Sequence, residues 1–315
     1  MRTGLLPLAG AVLAVFAVVQ ARADEPAPAR VQPRADESAS AVAADDAWIQ
    51  CPRCRPGHWT NDPTRAFLSL TMDAGYLYLK PRFSLGYGQP FTIWGGIDVS
   101  PIVTPDYGGG YAGLRLEIAW FDLRAGARAV HAFQHQYLTP KNAYNLVDLS
   151  QITDHASDYI SLEAEMAAAI PAGPGSIVVL ATASSVQLVP AGYDLYEENL
   201  HVIVSPPPVY RARVGYALRL LPEGNADVGV VGEVIELPDR KTRVIRAGLV
   251  ATFKIDDHLD AVGRIVAPIS SPDSIGFAGA DYSELGIRYR WATGHTHIPE
   301  ERLPPLQAGA MAIPR

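Results

Sequence analysis

Residues 66–78 read Ala-Phe-Leu-Ser-Leu-Thr-Met-Asp-Ala-Gly-Tyr-Leu-Tyr. Ala66, Leu68, Leu70, Met72, Ala74, Tyr76 and Tyr78 share one parity, and Ser69, Thr71, Asp73 and Gly75 the other. A strand sends successive side chains to opposite faces, so the stretch reads as a half-apolar strand and not as a helix. Its span exceeds the ~5–6 residues usual in soluble proteins. A tilted membrane strand needs about 9–11.

The same period recurs along the chain. Ala112–Trp120, Ile160–Ala168, Tyr210–Leu220, Ile245–Phe253 and Leu285–Trp291 each alternate apolar residues with Gly, Ser, Arg, Lys or Glu. Weaker versions lie near 91–102, 123–134, 176–189, 226–236 and 259–269. A short run, Leu200–Val204, precedes Pro206-Pro207-Pro208. Pro171–Gly175, Pro222–Asn225, Pro238–Arg240 and Asp256–His258 supply turn chemistry between runs, which makes neighbours antiparallel. Gly108-Gly109-Gly110 reads as a further turn. Twelve strands result if 200–204 spans, and ten or eleven if that run or a segment within 81–108 is loop. An even count returns both termini to one side, so twelve is preferred to ten.

Composition agrees with an all-β chain. Of 315 residues 48% are hydrophobic, which excludes wholesale disorder, and 27 Gly with 26 Pro favour turns over long helices. The net charge of −7 excludes a general nucleic-acid binder. Residues 1–23 read as an export signal: Arg2, an apolar run from Leu5 to Val19, and a small-x-small site at Ala21-Arg22-Ala23. No other run reaches the apolar length of a spanning helix. Residues 24–50 are rich in Ala, Pro and charge and read as a disordered linker. Residues 51–65 form a short segment with Cys51 and Cys54 in Cys-Pro-Arg-Cys. A haem attachment would need His where Arg55 stands. In an oxidising compartment a local disulfide is the default. A zinc site joining Cys51, Cys54 and His58 to His295 or His297 is the rival.

Alternation alone does not say which face is wet. A soluble barrel hides its apolar face, and a membrane barrel turns it to lipid. Long apolar rows, aromatics toward strand ends (Tyr76, Tyr78, Trp120, Tyr210, Phe253, Tyr289, Trp291) and the export signal favour the second. Residues 66–293 thus resemble the Gram-negative outer-membrane β-barrel proteins. The resemblance implies a closed antiparallel up-and-down transmembrane barrel, a place in the bacterial outer membrane, and lipid as partner. One departure is a tail, 294–315, beyond the last strand at Trp291. A soluble periplasmic binding barrel is the competing architecture.

Inversion turns the charged parity toward the axis. That set includes Arg115, Glu117, Arg128, Glu163, Glu165, Arg211, Arg213, Arg219, Arg246, Arg288 and Arg290. Asp73, Arg124, Glu233, Lys254, Asp260, Arg264 and Glu284 share it. Cations outnumber carboxylates, and all but one are Arg, which forms planar two-bond pairs with carboxylates. Two readings follow: an ion-pair network bracing a narrow barrel, or a passage for small solutes, anions among them. Catalytic patterns are weak. Asp154-His155-Ala156-Ser157-Asp158 follows a long polar connection from Tyr137 to Thr153, and a hydrolase acting through His155 at the barrel mouth is the enzymatic alternative. The expectation is a non-enzymatic barrel without cofactor or metal.

Overall fold

The structure, a computed structural model, describes residues 63–294 apart from 119, 151–155, 221–225, 257 and 283–284. The export signal, the linker, Cys51 and Cys54, the zinc alternative, His155 and the tail therefore lie outside the described residues, as does Glu284.

Twelve antiparallel strands close into a barrel. They are β1 (Arg65–Gly75), β2 (Leu79–Gln89), β3 (Ile93–Val103), β4 (Tyr107–Ile118), β5 (Phe121–Ala132), β6 (Ser157–Ala172) and β7 (Gly175–Gln187). After an inserted hairpin of β8 (Leu195–Glu197) and β9 (Val202–Val204), the wall resumes with β10 (Pro208–Arg219), β11 (Ala226–Leu237) and β12 (Thr242–Lys254). β13 (Leu259–Ser270) and β14 (Gly286–Ala292) complete it, and β14 pairs with β1.

The number twelve is as expected, but two members differ. The run at 200–204 does not span; its core is β9, paired only with β8. The twelfth wall strand is β2, which the sequence reading passed over. β2 alternates properly, with Phe83, Leu85 and Tyr87 outward, but Pro81, Gly86 and Gly88 disguise it. Proline cannot donate to a ladder, and the β2–β3 register skips from Leu79↔Val103 to Phe83↔Val99 around Pro81. The glycines 108–110 are not a turn but part of β4. A Cβ on Gly109 would stand 2.6 Å from the Ala129 carbonyl oxygen, so glycine permits close strand approach there. The turn itself is 104–106, where the Thr104 hydroxyl accepts from the Asp106 and Tyr107 amides at 3.1 and 2.9 Å.

The barrel is inside-out. Along β1, Ser69, Thr71 and Asp73 are buried while Leu68 is exposed. Leu85, Leu114, Val230 and Leu249 are each 60% or more exposed, whereas Asp98, Glu117, Arg213 and Glu233 are 2% or less. A continuous outer coat of Leu, Ile, Val and Phe is unfavourable in water and suits hydrocarbon. Closure leaves no unpaired sheet edge, which a bilayer requires of a β structure. Tyr87, Trp120, Phe253 and Trp291 are exposed at the strand ends nearest the termini, as an interfacial girdle. Tyr78 departs from expectation: β1 ends at Gly75, and Tyr78 lines the interior.

Connections sort by end. Those on the side of the termini are short, such as 90–92 and 173–174. The three longest, 133–156, 188–207 and 271–285, all leave from the opposite end. The first carries a short helix, α1 (Leu146–Ser150), so it is not simply a solvated polar loop. The three pack together through Leu138, Tyr144, Leu149, Tyr196, Ile203 and Ile275. The β8–β9 hairpin sits in the barrel mouth, with Leu195, Leu200, Val202 and Val204 against inward Tyr107, Val130, Tyr159 and Ile235. Each such buried side chain contributes about 1.5–3 kcal/mol of transfer free energy. It is a fixed plug.

If the outer coat faces hydrocarbon, Leu249→Arg, at mid-strand, should lower the unfolding free energy in lipid vesicles by about 2–4 kcal/mol. Val103→Arg, at a strand end, should lower it by no more than about 1 kcal/mol. Equal small losses at both positions would contradict a lipid-facing coat.

Candidate functional site

The inner wall is a lattice of ion pairs set by strand register. Asp73 stands opposite Arg288 and Lys80; Arg288 Nε donates to it at 2.6 Å. Glu233 stands between Arg213 and Arg246, with nitrogen–oxygen distances of 2.5 and 3.1 Å. Arg115 meets Asp122 at 3.0 Å, Asp98 at 3.3 Å and Glu117 at 3.6 Å. Glu117 also accepts from the Trp94 indole at 2.6 Å. Arg128 holds Glu163 with two bonds, at 2.8 and 3.0 Å. Arg290 meets Asp260 at 2.7 Å. Arg219 is half-buried, opposite Asp227. Sharing is common: Glu165 lies between Arg124 at 2.8 Å and Arg211 at 3.1 Å.

The wall reaches up to hold the plug. Arg246 donates to the Leu200 and His201 carbonyls at 2.8 Å each, and Arg240 donates to the Ile203 carbonyl at 2.9 Å. Glu197 accepts from the Tyr159 hydroxyl and the Leu200 amide; burial pushes its carboxyl up to about 7. His201 is half-buried beside Tyr196 and Tyr282, and desolvation pushes its imidazole down to about 4. His135, from the connection 133–156, binds Glu198 at the hairpin tip at 2.7 Å.

Beside the plug a cavity of about 190 Å3 remains. Its upper walls are Thr104, Asp106, His135, Asn199 and Tyr282, from the long-loop end. From the wall strands, Lys80, Arg124, Arg128, Arg211 and Arg264 bring positive charge, and Asp73 and Glu165 bring negative charge. Of the eleven residues selected from sequence, Arg128, Glu165 and Arg211 line this cavity. Arg115 and Glu117 lie in the separate cluster with Trp94, and Arg213, Arg246, Arg288 and Arg290 lie in the pair lattice. Asp98, Asp122, Lys80 and Arg82 were missed, although each follows the same parity on its strand. Asp281, Glu198 and His135 come from connections, where no periodicity marks them.

No family model matches the chain, and no curated protein matches it. Among solved structures it is similar to the porin NanC, with 8% identity over 72% of this chain and 97% of that one, at a TM-score of 0.31. It is similar to OccK11 of Pseudomonas aeruginosa, with 11% identity over 73% and 96%, at 0.27. It is also similar to CdiB from Acinetobacter baumannii, with 10% identity over 73% and 60%, at 0.29.

Two outcomes follow from the lattice. Glu233→Gln takes the shared carboxylate from Arg213, which keeps Asp281, and from Arg246, which keeps the Leu200 and His201 carbonyls, and should cost about 3–5 kcal/mol in denaturant unfolding. Glu236→Gln, in an exposed pair with Arg243 at 3.8 Å, should cost under about 1 kcal/mol. The His135–Glu198 contact should depend on pH. Burial alone would lower the imidazole, but the hydrogen bond and charge of Glu198 outweigh it and hold His135 above its usual value. Burial pushes the Glu198 carboxyl up against the pull of His135. Both shifts favour a proton on the folded pair; the His135 share of the stabilisation is full below about pH 6.5 and is lost as pH rises through the raised His135 value, whereas the Glu198 share is full only below the ordinary carboxylate range. Between about pH 6 and pH 9 the wild-type unfolding temperature should therefore fall more than that of His135→Gln. Parallel curves would show that the contact contributes nothing.

Proposed function

We propose that the chain is an outer-membrane barrel that lets small polar solutes, anions ahead of cations, pass beside its fixed plug. The export signal and the inside-out barrel support that location. The observation that carries the reading is the charged cavity, lined from the mouth connections down to Glu165 and Arg211. A barrel built only as a strut gains nothing from leaving such a space open beside a plug that otherwise packs tightly. The cations along the cavity favour anions, because five basic side chains line it and its wall carboxylates, Asp73 and Glu165, are already paired with arginines. The inserted hairpin and the ion pairs keep the path narrow, so the solutes are small.

Purified protein in a planar bilayer should show discrete conductance steps and, under a KCl gradient, a reversal potential on the chloride side. Arg211→Glu should move that potential toward potassium. Absence of any step in the wild type would leave a closed structural barrel, and an unmoved potential would remove Arg211 from the path.

A further inference from the structure

The connections at the cavity mouth bring acceptors where the wall strands bring cations. Asp106, in the turn 104–106, and Glu198, at the hairpin tip, both line the cavity. Backbone contacts fix them there. The Asp106 amide donates to the Thr104 hydroxyl at 3.1 Å, and its carbonyl accepts from the Phe133 amide at 2.7 Å. The Glu198 amide donates to the Tyr159 hydroxyl at 3.0 Å. His135 binds the Glu198 carboxylate at 2.7 Å and also feels the charge of Asp106, so one imidazole stands between two carboxylates. The Asp106 carboxylate itself has no ion pair or hydrogen bond among the described residues. Desolvation raises the Glu198 carboxyl and the Tyr282 hydroxyl, and the charge of Asp106 adds to both. Two uncharged acceptors join this pair. Tyr107 is 7% exposed and lines the cavity beside the hairpin, and its hydroxyl has no hydrogen-bond partner among the described residues. Leaving a buried hydroxyl unpaired is costly. Tyr196 gives its one hydroxyl proton to the Ala278 carbonyl at 2.5 Å, so its contact with His201 Nδ1 at 3.0 Å is made by an Nδ1–H donor. Desolvation keeps the His201 ring neutral, which leaves Nε2 a bare acceptor on a residue that also lines the cavity. Among the described residues no three His, Asp or Glu side chains converge as ligands of a metal ion. Acceptors spread over a wider space suit a cation that carries its own N–H donors.

We infer that Asp106, Glu198, Tyr107 and His201 form a station for the ammonium group of a small zwitterionic solute, an amino acid in class. An ammonium group has three donors and no acceptor, the complement of this set. It also brings the counter-charge that Asp106 lacks within the protein. The arginines of the wall oppose a free amine and suit an acid group on the same molecule. The space, roughly six water volumes at ~30 Å3 each, admits a small amino acid. The inference rests on the cavity being the solute's path, and it names the kind of small polar solute that enters it.

The test is saturation-transfer NMR on the full chain in deuterated detergent, with alanine and lactate as probes. The two share a carbon skeleton and a carboxylate and differ in ammonium against hydroxyl, so their ratio isolates the station from the wall. Alanine should bind saturably, and roughly tenfold or more tighter than lactate, the worth of one charge-assisted hydrogen bond. Asp106→Asn keeps the side chain's size and the backbone contacts of the turn. It should bring alanine down to the level of lactate and leave lactate unchanged. Tyr107→Phe should weaken alanine several-fold without lowering the unfolding temperature, because the hydroxyl holds nothing in the fold. It serves if Asp106→Asn fails to fold by circular dichroism. Lactate bound as tightly as alanine, neither probe bound, or a preference for alanine unchanged in the folded variants would overturn the station. A preference for alanine without conductance would keep the station and remove the pore; conductance with no such preference would do the reverse.

Discussion

The structure depends on one constraint: the apolar parity of every wall strand is spent on the outside. A soluble barrel draws its cohesion from apolar side chains meeting in the middle. Here those side chains face outward, and the middle must be filled by what remains. That remainder is Arg, Asp, Glu, Ser and Thr, each of which is costly to bury unless paired. The pair lattice follows from the inversion as a requirement. It is less a source of net stability than the arrangement that avoids uncompensated charge. The net cohesion comes from the closed backbone ladder, the lipid-facing coat and the apolar plug.

The plug supplies what the wall lacks. Leu195, Leu200, Val202 and Val204 give the mouth an apolar core, and Arg246 and Arg240 bind the plug's own carbonyls. The two devices are complementary: the hairpin packs against inward side chains of β4, β5, β6 and β11, and the cavity opens beside it, with residues of β1, β2, β5, β6 and β10 in its lining. On the proposed function, a path narrowed in this way would select through its wall chemistry, because little of its width remains to choose by size.

How far the sequence could be read follows from the same geometry. Period-two rows such as 66–74 and 245–253 announce their strands because the two faces meet opposite solvents. Where both faces of a strand are buried, as in β8 and β9, alternation vanishes and a run such as Leu200–Val204 looks like any apolar segment. Where proline interrupts a wall strand, as Pro81 does in β2, true alternation looks broken. The two misreadings cancelled in the count and not in the assignment. Charges on the wall, such as Arg115 and Glu233, were legible because parity alone decides their direction. Asp281, which meets Arg213 and Arg264, and Glu198, which meets His135, were not, because a connection's path is set by tertiary packing.

Register ties the membrane surface to the interior. A slip of one residue in β10 would turn Arg211 and Arg213 into the lipid and bring Val214 and Leu218 inward. Each misplaced cation would cost about 2–4 kcal/mol near the bilayer midplane, and the same slip would take Arg211 from Glu165 and Arg213 from Glu233. The hydrocarbon outside and the carboxylates inside therefore select the same alignment from opposite faces of one strand. The row Arg124–Glu165–Thr182–Arg211 exists because that alignment holds across four strands at once.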